Sequence, residues 1–222
     1  MQTVALESGT RGEKITELRA LIAEKFPQPS ATASGVFPVA MGAGLPAMEL
    51  RRGVVTEVSG SIGSGTLFLE TLIASAEPAG AMAALVDGSS GFDPAQCGFP
   101  LSRLLWVLCK DAQMAIKATD LLLRDGNLPL VVLDLQMNAA KDLRRIPATT
   151  WYRFQRIIEQ STSAFVVVTS RPMVSSAAER VELRNHWTLG AMRQRRTDLR
   201  LVMERSHRRV LGGEESGERR IA

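Results

Sequence analysis

Five short runs of almost continuous apolar residues constrain the fold of this chain more than any other feature. They read VVTEV (54–58), AALVD (83–87), LLWVL (104–108), LVVLDL (130–135) and FVVVT (165–169). Helical patterns at 66–77, 111–125 and 148–160 separate several of these runs. Buried strands joined by crossover helices are typical of a parallel sheet with helices on both faces. The sequence therefore predicts an α/β fold whose core domain spans residues 50–210.

The pattern changes after residue 169, where two segments alternate polar and apolar residues. They read ERVELRNHW (179–187) and TDLRLVMERS (197–206), with a turn-like stretch between them. Such alternation predicts an antiparallel hairpin at the edge of the sheet. The tail at 211–222 has no apolar pattern, and we expect it to be disordered.

The N-terminal part of the chain predicts a helix that is set apart from the core. Residues 13–26, EKITELRALIAEKF, place apolar residues at helical spacing, and prolines follow directly. We assign residues 1–26 to this N-terminal helix and residues 27–49, rich in Pro, Gly, Ala and Ser, to a linker. A helix of this kind docks on its own domain or on another subunit, so self-association is one expectation.

The composition of the chain argues against a membrane protein, a secreted protein and a metal-binding protein. The sequence contains no run of about 18 apolar residues, and its first residues lack the pattern of a signal peptide. We therefore expect a cytoplasmic protein without a membrane span. Its two cysteines and two histidines lack the spacing of a disulfide framework or of a metal site, so we predict no bound metal.

A glycine-rich stretch and an aspartate form the candidate nucleotide site. GSIGSGTLF (60–68) lies between the first apolar run and a helical pattern, and Asp134 lies in the fourth run. Ligands of open α/β sheets bind at such strand ends. Phosphate-binding loops combine glycine amides that hold phosphate with an aspartate that holds the magnesium water shell. The residues assigned to this site are Gly60, Gly63, Ser64, Gly65, Thr66 and Asp134.

A cluster of arginines near the C-terminus is a candidate surface for DNA or an acidic partner. An arginine-rich solvated face is the alternative interpretation. The cluster consists of Arg193, Arg195, Arg196, Arg200, Arg205, Arg208 and Arg209.

From about residue 50 to residue 210, the order of these segments resembles the core of the bacterial RecA recombinase. The resemblance rests on GVVTEVSGSIGSGTLFLETLIASA, AALVDGSSGFDP, LVVLDL and the hairpin ERVELR with TDLRLVM. Two further stretches are similar to the ImuA family, RecA-like accessory proteins of translesion DNA synthesis. They read LSRLLWVLCKDAQMAIKATDLLLRDGNLPLVVLDL and TSRPMVSSAAERVELR. The resemblance implies a RecA-like fold and a place in the response to DNA damage.

Three positions depart from the pattern of RecA-like ATPases. Gly65 is followed by Thr66 and Leu67, where the family has Lys and then Ser or Thr for the phosphates and magnesium. Ser89 stands where the resemblance implies the glutamate that activates the attacking water. We therefore predict a pseudo-ATPase without catalytic residues or a cofactor. The glycine amides leave weak ATP or phosphate binding as an alternative.

The resemblance also implies partners. The recombinase binds DNA through two loops, and the counterpart of the first loop carries Lys141, Arg144 and Arg145. The second counterpart, SRPMVSSAAE (170–179), is short, so we do not expect strand exchange. We expect contacts with RecA or a translesion polymerase subunit, and with DNA through the basic residues. Two alternatives are an ATP-dependent DNA-binding protein, in which Arg171 or a neighbouring subunit replaces the lysine, and a damage-induced cell-division inhibitor.

Overall fold

The computed structural model describes residues 35–39, 48–185, 187–194, 198–207 and 219–220. The predicted N-terminal helix at 1–26 lies outside these ranges. Within them, no helix is both long enough and apolar enough to cross a membrane.

An eight-stranded mixed sheet runs through the described part of the chain, beside a two-stranded hairpin. In chain order the strands are β1 (Val36–Val39), β2 (Met48–Arg51), β3 (Val55–Gly60), β4 (Ala83–Asp87), β5 (Leu104–Leu108), β6 (Leu130–Asp134), β7 (Ala164–Thr169), β8 (Glu179–Leu183), β9 (Met203–His207) and β10 (Arg219–Arg220). The order in the large sheet is β10-β9-β8-β3-β7-β6-β4-β5. The strands from β8 to β5 in this order are parallel. The five predicted parallel strands are therefore confirmed.

The central strands are apolar because both of their faces are covered. Every residue of β4, β6 and β7 is buried, which explains why these strands read as continuous apolar runs. β8 alternates buried and half-buried residues, and it pairs antiparallel with β9. The predicted hairpin is confirmed, although its second strand begins at Met203 and not at residue 197. β10, part of the tail expected to be disordered, pairs antiparallel with β9.

Helices cover both faces of the sheet, as predicted. They are α1 (Ile62–Ala74), α2 (Ala112–Asp125), α3 (Ala140–Leu143) and α4 (Ala148–Ile158). α1 buries Phe68 in an apolar cluster that includes Val166 of β7. The preceding residue, Phe165, points to the opposite face because side chains alternate along a strand. There it meets Phe154 of α4 edge to face, with ring centroids 5.7 Å apart.

Strands β1 and β2 correct the expectation of a linker at 27–49. They form an antiparallel hairpin, and Phe37, Val39, Met48 and Leu50 are buried in the apolar cluster that contains α1. Each of these short strands turns two apolar side chains inward, and the surrounding Pro, Gly and Ala residues hide this pattern in the sequence. Residues 40–47 lie outside the described ranges.

Candidate functional site

The stretch from residue 60 to residue 65 is a direct junction between β3 and α1. β3 ends at Gly60 and α1 begins at Ile62, so one residue, Ser61, separates them. The amide of Gly65 donates to the carbonyl oxygen of Ser61 at 2.9 Å, as in the first turn of a helix. The spacing of two glycines five positions apart matches a phosphate loop. Residues 62–65 nevertheless form the first turn of a helix, which corrects the expectation of a glycine loop.

The glycines of this junction allow other side chains to approach the backbone closely. Glycines with positive φ lie elsewhere in the described chain, at positions 53, 80 and 126. A Cβ atom at Gly63 would lie 3.2 Å from Cδ1 of Trp187, and a Cβ atom at Gly65 would overlap the Gln136 amide group. Nε1 of Trp187 also donates to Oγ of Ser64 at 3.1 Å. Two side chains from distant parts of the sequence thus cover the first turn of α1.

Thr66 and Leu67 both contribute to the helix. The hydroxyl of Thr66 donates to the carbonyl oxygen of Ile62 at 2.9 Å, and Leu67 packs against the apolar cluster under α1. A working phosphate loop carries lysine and a magnesium-binding hydroxyl at these positions. Here one position supplies a hydroxyl that is already bonded to the backbone, and the other supplies a packed apolar side chain. These residues do not fit an ATP–magnesium complex.

Asp134 ends β6 as predicted, but its carboxyl group is enclosed. The residue is 3% exposed, and Oδ1 accepts hydrogen bonds from the backbone N and from Nε2 of Gln136 at 3.0 and 3.2 Å. Burial raises the pKa of Asp134 to about 6, because the bonds from Gln136 oppose this shift incompletely and the charge of Asp87 adds to it. Gln136 therefore fills the space between Asp134 and Gly65.

Asp87 and Ser89 form a turn at the end of the neighbouring strand β4. Asp87 is fully buried, and its carboxylate accepts the amides of Ser89, Gly91 and Phe92 at 3.0 to 3.1 Å. The hydroxyl of Ser89, the predicted lost base position, has no hydrogen-bond partner in the described part of the chain. A neutral hydroxyl in this place cannot accept the proton of an attacking water near neutral pH.

The cysteines show no feature of a reactive or metal-binding site. Neither Cys97 nor Cys109 is part of a disulfide, and burial, with smaller contributions from Asp87 and Asp111, raises the pKa of Cys109. A raised pKa keeps a thiol protonated and unreactive. Across the described ranges, no group of three or more His, Cys, Asp or Glu residues could hold a metal ion.

The structure describes three members of the predicted arginine cluster near the C-terminus, Arg193, Arg200 and Arg205. Arg205 bonds the buried carboxylate of Glu179 and the carbonyl oxygen of Glu49. It therefore ties β9 to β8 and β2, and its assignment as a residue that contacts DNA or a partner stays a prediction. Arg193 and Arg200 are exposed. The members outside the described residues are Arg195, Arg196, Arg208 and Arg209.

The other predicted basic group lies on and just after α3. Lys141, Arg144 and Arg145 are all exposed. Arg145 lies 3.7 Å from the carboxylate of Asp142, whereas Arg144 lines a groove that Arg171 also lines. The structure therefore places one residue from each of the two predicted DNA-loop counterparts at the same groove.

Three residues of this region were missed in the sequence prediction. Glu57 carried a usable signal, because a charged residue inside the apolar run VVTEV indicates a buried, paired carboxylate. Gln136 follows Asp134 by two positions and carried no comparable signal. Trp187 could not be found from local patterns, because its partner Ser64 lies 123 residues earlier in the chain.

Comparison with known proteins finds that part of the chain is similar to Protein RecA from several bacteria. It is 35% identical over 108 residues to Protein RecA from Clavibacter michiganensis subsp. michiganensis and from Streptomyces avermitilis. It is also 35% identical over 107 residues to Protein RecA from Kineococcus radiotolerans. These alignments cover 46% of this chain and 28%, 27% and 30% of the respective relatives, so the chain spans less than a third of their length.

The crystal structure of the RadB recombinase matches with a TM-score of 0.47 and 18% sequence identity. The match covers 60% of this chain and 76% of that chain. No protein-family model matches the chain.

Proposed function

We propose that this chain is a RecA-like accessory protein of DNA-damage tolerance that acts without hydrolysing ATP. The observation that carries the proposal is the junction between β3 and α1, where helix replaces the phosphate loop. Gln136 and Trp187 then cover the first turn of that helix. A RecA-like sheet that has lost this loop can still bind partners through other surfaces, because function resides in individual sites and not in the fold as a whole.

The chemistry of the missing groups supports loss of hydrolysis. Removal of a general base typically lowers a rate by about 10² to 10⁴. Loss of a charged hydrogen bond to phosphate weakens binding by roughly 1.5 to 3 kcal/mol. In this chain Ser89 replaces the base, Thr66 replaces the lysine and Leu67 replaces the magnesium ligand. The three losses act on both binding and catalysis, so hydrolysis at a useful rate is not expected.

We infer that the protein acts in the cytoplasm through protein–protein contacts with RecA or a translesion polymerase subunit. The similarity of its middle and C-terminal segments to ImuA supports this assignment, and exposed basic residues add a capacity to bind DNA. The alternative of an ATP-dependent DNA-binding protein needs a basic residue to replace the lysine. Arg171, the candidate named for that role, is exposed and lines a groove with Arg144.

Nucleotide binding and hydrolysis test the first part of the proposal. Isothermal titration calorimetry with ATP and magnesium should show no binding, and single-stranded DNA should not stimulate phosphate release. A RecA recombinase measured in parallel is the positive control. DNA-stimulated hydrolysis that disappears in Asp134→Ala would establish the ATP-dependent alternative instead.

Affinity capture tests the second part. Tagged chain is expressed in DNA-damaged cells, and captured proteins are probed for RecA and for the translesion polymerase subunits. Enrichment of either over an untagged control is the expected result. Capture of the division GTPase in their place would support the cell-division inhibitor.

A further inference from the structure

A groove of about 310 Å³ lies between α3, the start of α4 and the segment that follows β7. Its lining is mostly apolar and includes Leu143, Ile146, Trp151 and Met173. The hydroxyl of Ser176 donates to the carbonyl oxygen of Trp151 at 2.8 Å and joins the segment after β7 to α4. The groove is thus open to a ligand between two elements that are tied together.

A buried carboxylate holds the segment after β7 in place. Glu57 of β3 is 1% exposed, and its Oε1 accepts the amides of Met173 and Val174. Its Oε2 accepts Nε of Arg180 at 3.0 Å, and the same guanidinium donates to the carbonyl oxygen of Val174. One wall of the groove is therefore preformed, so a ligand does not have to order it on binding.

Two guanidinium groups add positive charge to this apolar groove. Arg144 and Arg171 both line it and are exposed, and within the described ranges neither forms an ion pair. Arg145 is different, because it lies 3.7 Å from Asp142 and does not line the groove. The groove therefore combines an apolar lining with uncompensated positive charge, while the adjacent arginine is partly neutralised.

We propose that this groove binds an acidic peptide segment of a partner protein, with an apolar side chain in the groove and carboxylates on Arg144 and Arg171. The inference rests on the proposed function, in which the chain works through protein contacts. The planar guanidinium fork matches a carboxylate with two parallel hydrogen bonds. A buried apolar anchor beside such charge pairs is the usual centre of a protein–peptide interface.

Nucleic acid fits this groove less well than a peptide does. Binding to a phosphate backbone depends on many spaced cations and makes little use of an apolar cavity. Here the apolar lining is the main feature, and charge is confined to two positions. DNA binding through the same surface would use Lys141 and Arg145 as much as Arg144, because all three are exposed near α3.

Fluorescence anisotropy of labelled synthetic peptides tests the proposal. The probe is a peptide of consecutive aspartates that ends in Leu-Phe, and the matched probe ends in Ser-Ser. The first should bind the full chain, and the second should bind about tenfold more weakly because it lacks the apolar anchor. Arg144→Glu and Arg171→Glu should each weaken binding of the first probe about tenfold. Arg145→Glu is the charge control and should leave the affinity within about twofold.

A second pair of variants tests the groove without changing charge. Ala148 is exposed and lines the groove, whereas the adjacent Thr149 is exposed and does not. Ala148→Phe should block binding of the Leu-Phe peptide, and Thr149→Phe should bind it like wild type. Circular dichroism of both variants verifies that the fold is retained.

Several results would overturn the proposal. One is that the wild-type chain does not bind the Leu-Phe peptide, and another is that it binds both peptides equally. A third is that Arg145→Glu lowers the affinity for the Leu-Phe peptide as much as Arg144→Glu does. A DNA surface would be identified instead if a single-stranded oligonucleotide displaces the peptide and binds more weakly to all three arginine variants.

Affinity capture separates this inference from the proposed function. If wild type and the Arg144→Glu, Arg171→Glu double variant capture RecA or the polymerase equally, the groove is refuted while the proposed function stands.

Discussion

At the scale of single residues, the carboxyl group of Asp134 is buried, and burial opposes its ionisation. Its pKa of about 6 in the folded protein exceeds the ordinary value of 3.8. Between these pH values the unfolded chain binds fewer protons than the folded chain, so stability decreases as pH rises through this window. The loss is complete above pH 6 and amounts to roughly 3 kcal/mol. A carboxyl group in this state is poorly suited to supporting a magnesium ion.

Substitution Asp134→Asn should remove this pH dependence. Asparagine keeps an oxygen that accepts the N–H groups of Gln136 but carries no charge. We expect the variant to be more stable than wild type at pH 8, by roughly 2 to 3 kcal/mol, and to show no advantage at pH 4. Urea denaturation at both pH values measures the difference. Asp93→Asn, at an exposed N-cap, is the control and should show no such change. Equal stabilities of Asp134→Asn and wild type at pH 8 would contradict the assignment of a buried, ionised carboxylate.

Trp187 and Ser64 form the contact that closes the start of α1. Trp187→Phe removes the indole donor and should lower the free energy of unfolding by about 1 kcal/mol. Ser64→Ala removes the acceptor and should have a similar effect. Because both changes delete the same bond, the double variant should lose less than the sum of the two. Strict additivity in urea denaturation would show that the bond contributes nothing to stability.

At the scale of elements, the sequence predicts best where local pattern and burial coincide. β4, β6 and β7 are buried at every residue, so their apolar runs alone identify them. The β1–β2 hairpin was not predicted from the sequence, because its short strands lie among residues typical of loops. The prediction of a glycine loop was wrong for a different reason. Gly63 and Gly65 are as compatible with a helix that Trp187 and Gln136 approach closely as with a loop around phosphate, and local spacing cannot separate these two uses.

The helical start of α1 predicts that restoring the motif residues will not restore nucleotide binding. The double variant Thr66→Lys, Leu67→Thr supplies the charge and the hydroxyl of a phosphate loop. Both positions nevertheless lie beyond the first turn of α1, so we expect no ATP binding by calorimetry. Leu67→Thr alone is the control for the packing that this leucine provides in the apolar cluster. ATP affinity gained by the double variant and absent from the control would show that the junction opens into a loop.

At the scale of the whole molecule, the large sheet ends on one side at β5. β5 pairs with β4, and among the described residues no strand pairs with its outer edge. Leu108 of this strand is 55% exposed, and exposed apolar edge strands favour pairing between chains. The other end of the sheet is different, because β9 and β10 are polar and charged. If copies of this chain associate through the large sheet, we therefore expect them to pair at the β5 edge.

We expect Leu108→Lys to lower self-association, because a lysine on an edge strand opposes pairing with a second edge. Sedimentation velocity over a range of concentrations should shift toward the monomer in this variant. Leu189→Lys is the matched control, since Leu189 is 82% exposed in the connection between β8 and β9. The same charge placed there should leave the sedimentation profile unchanged. A decrease in both variants would point to a general effect of added charge, and a decrease in neither would exclude the β5 edge as the surface that associates.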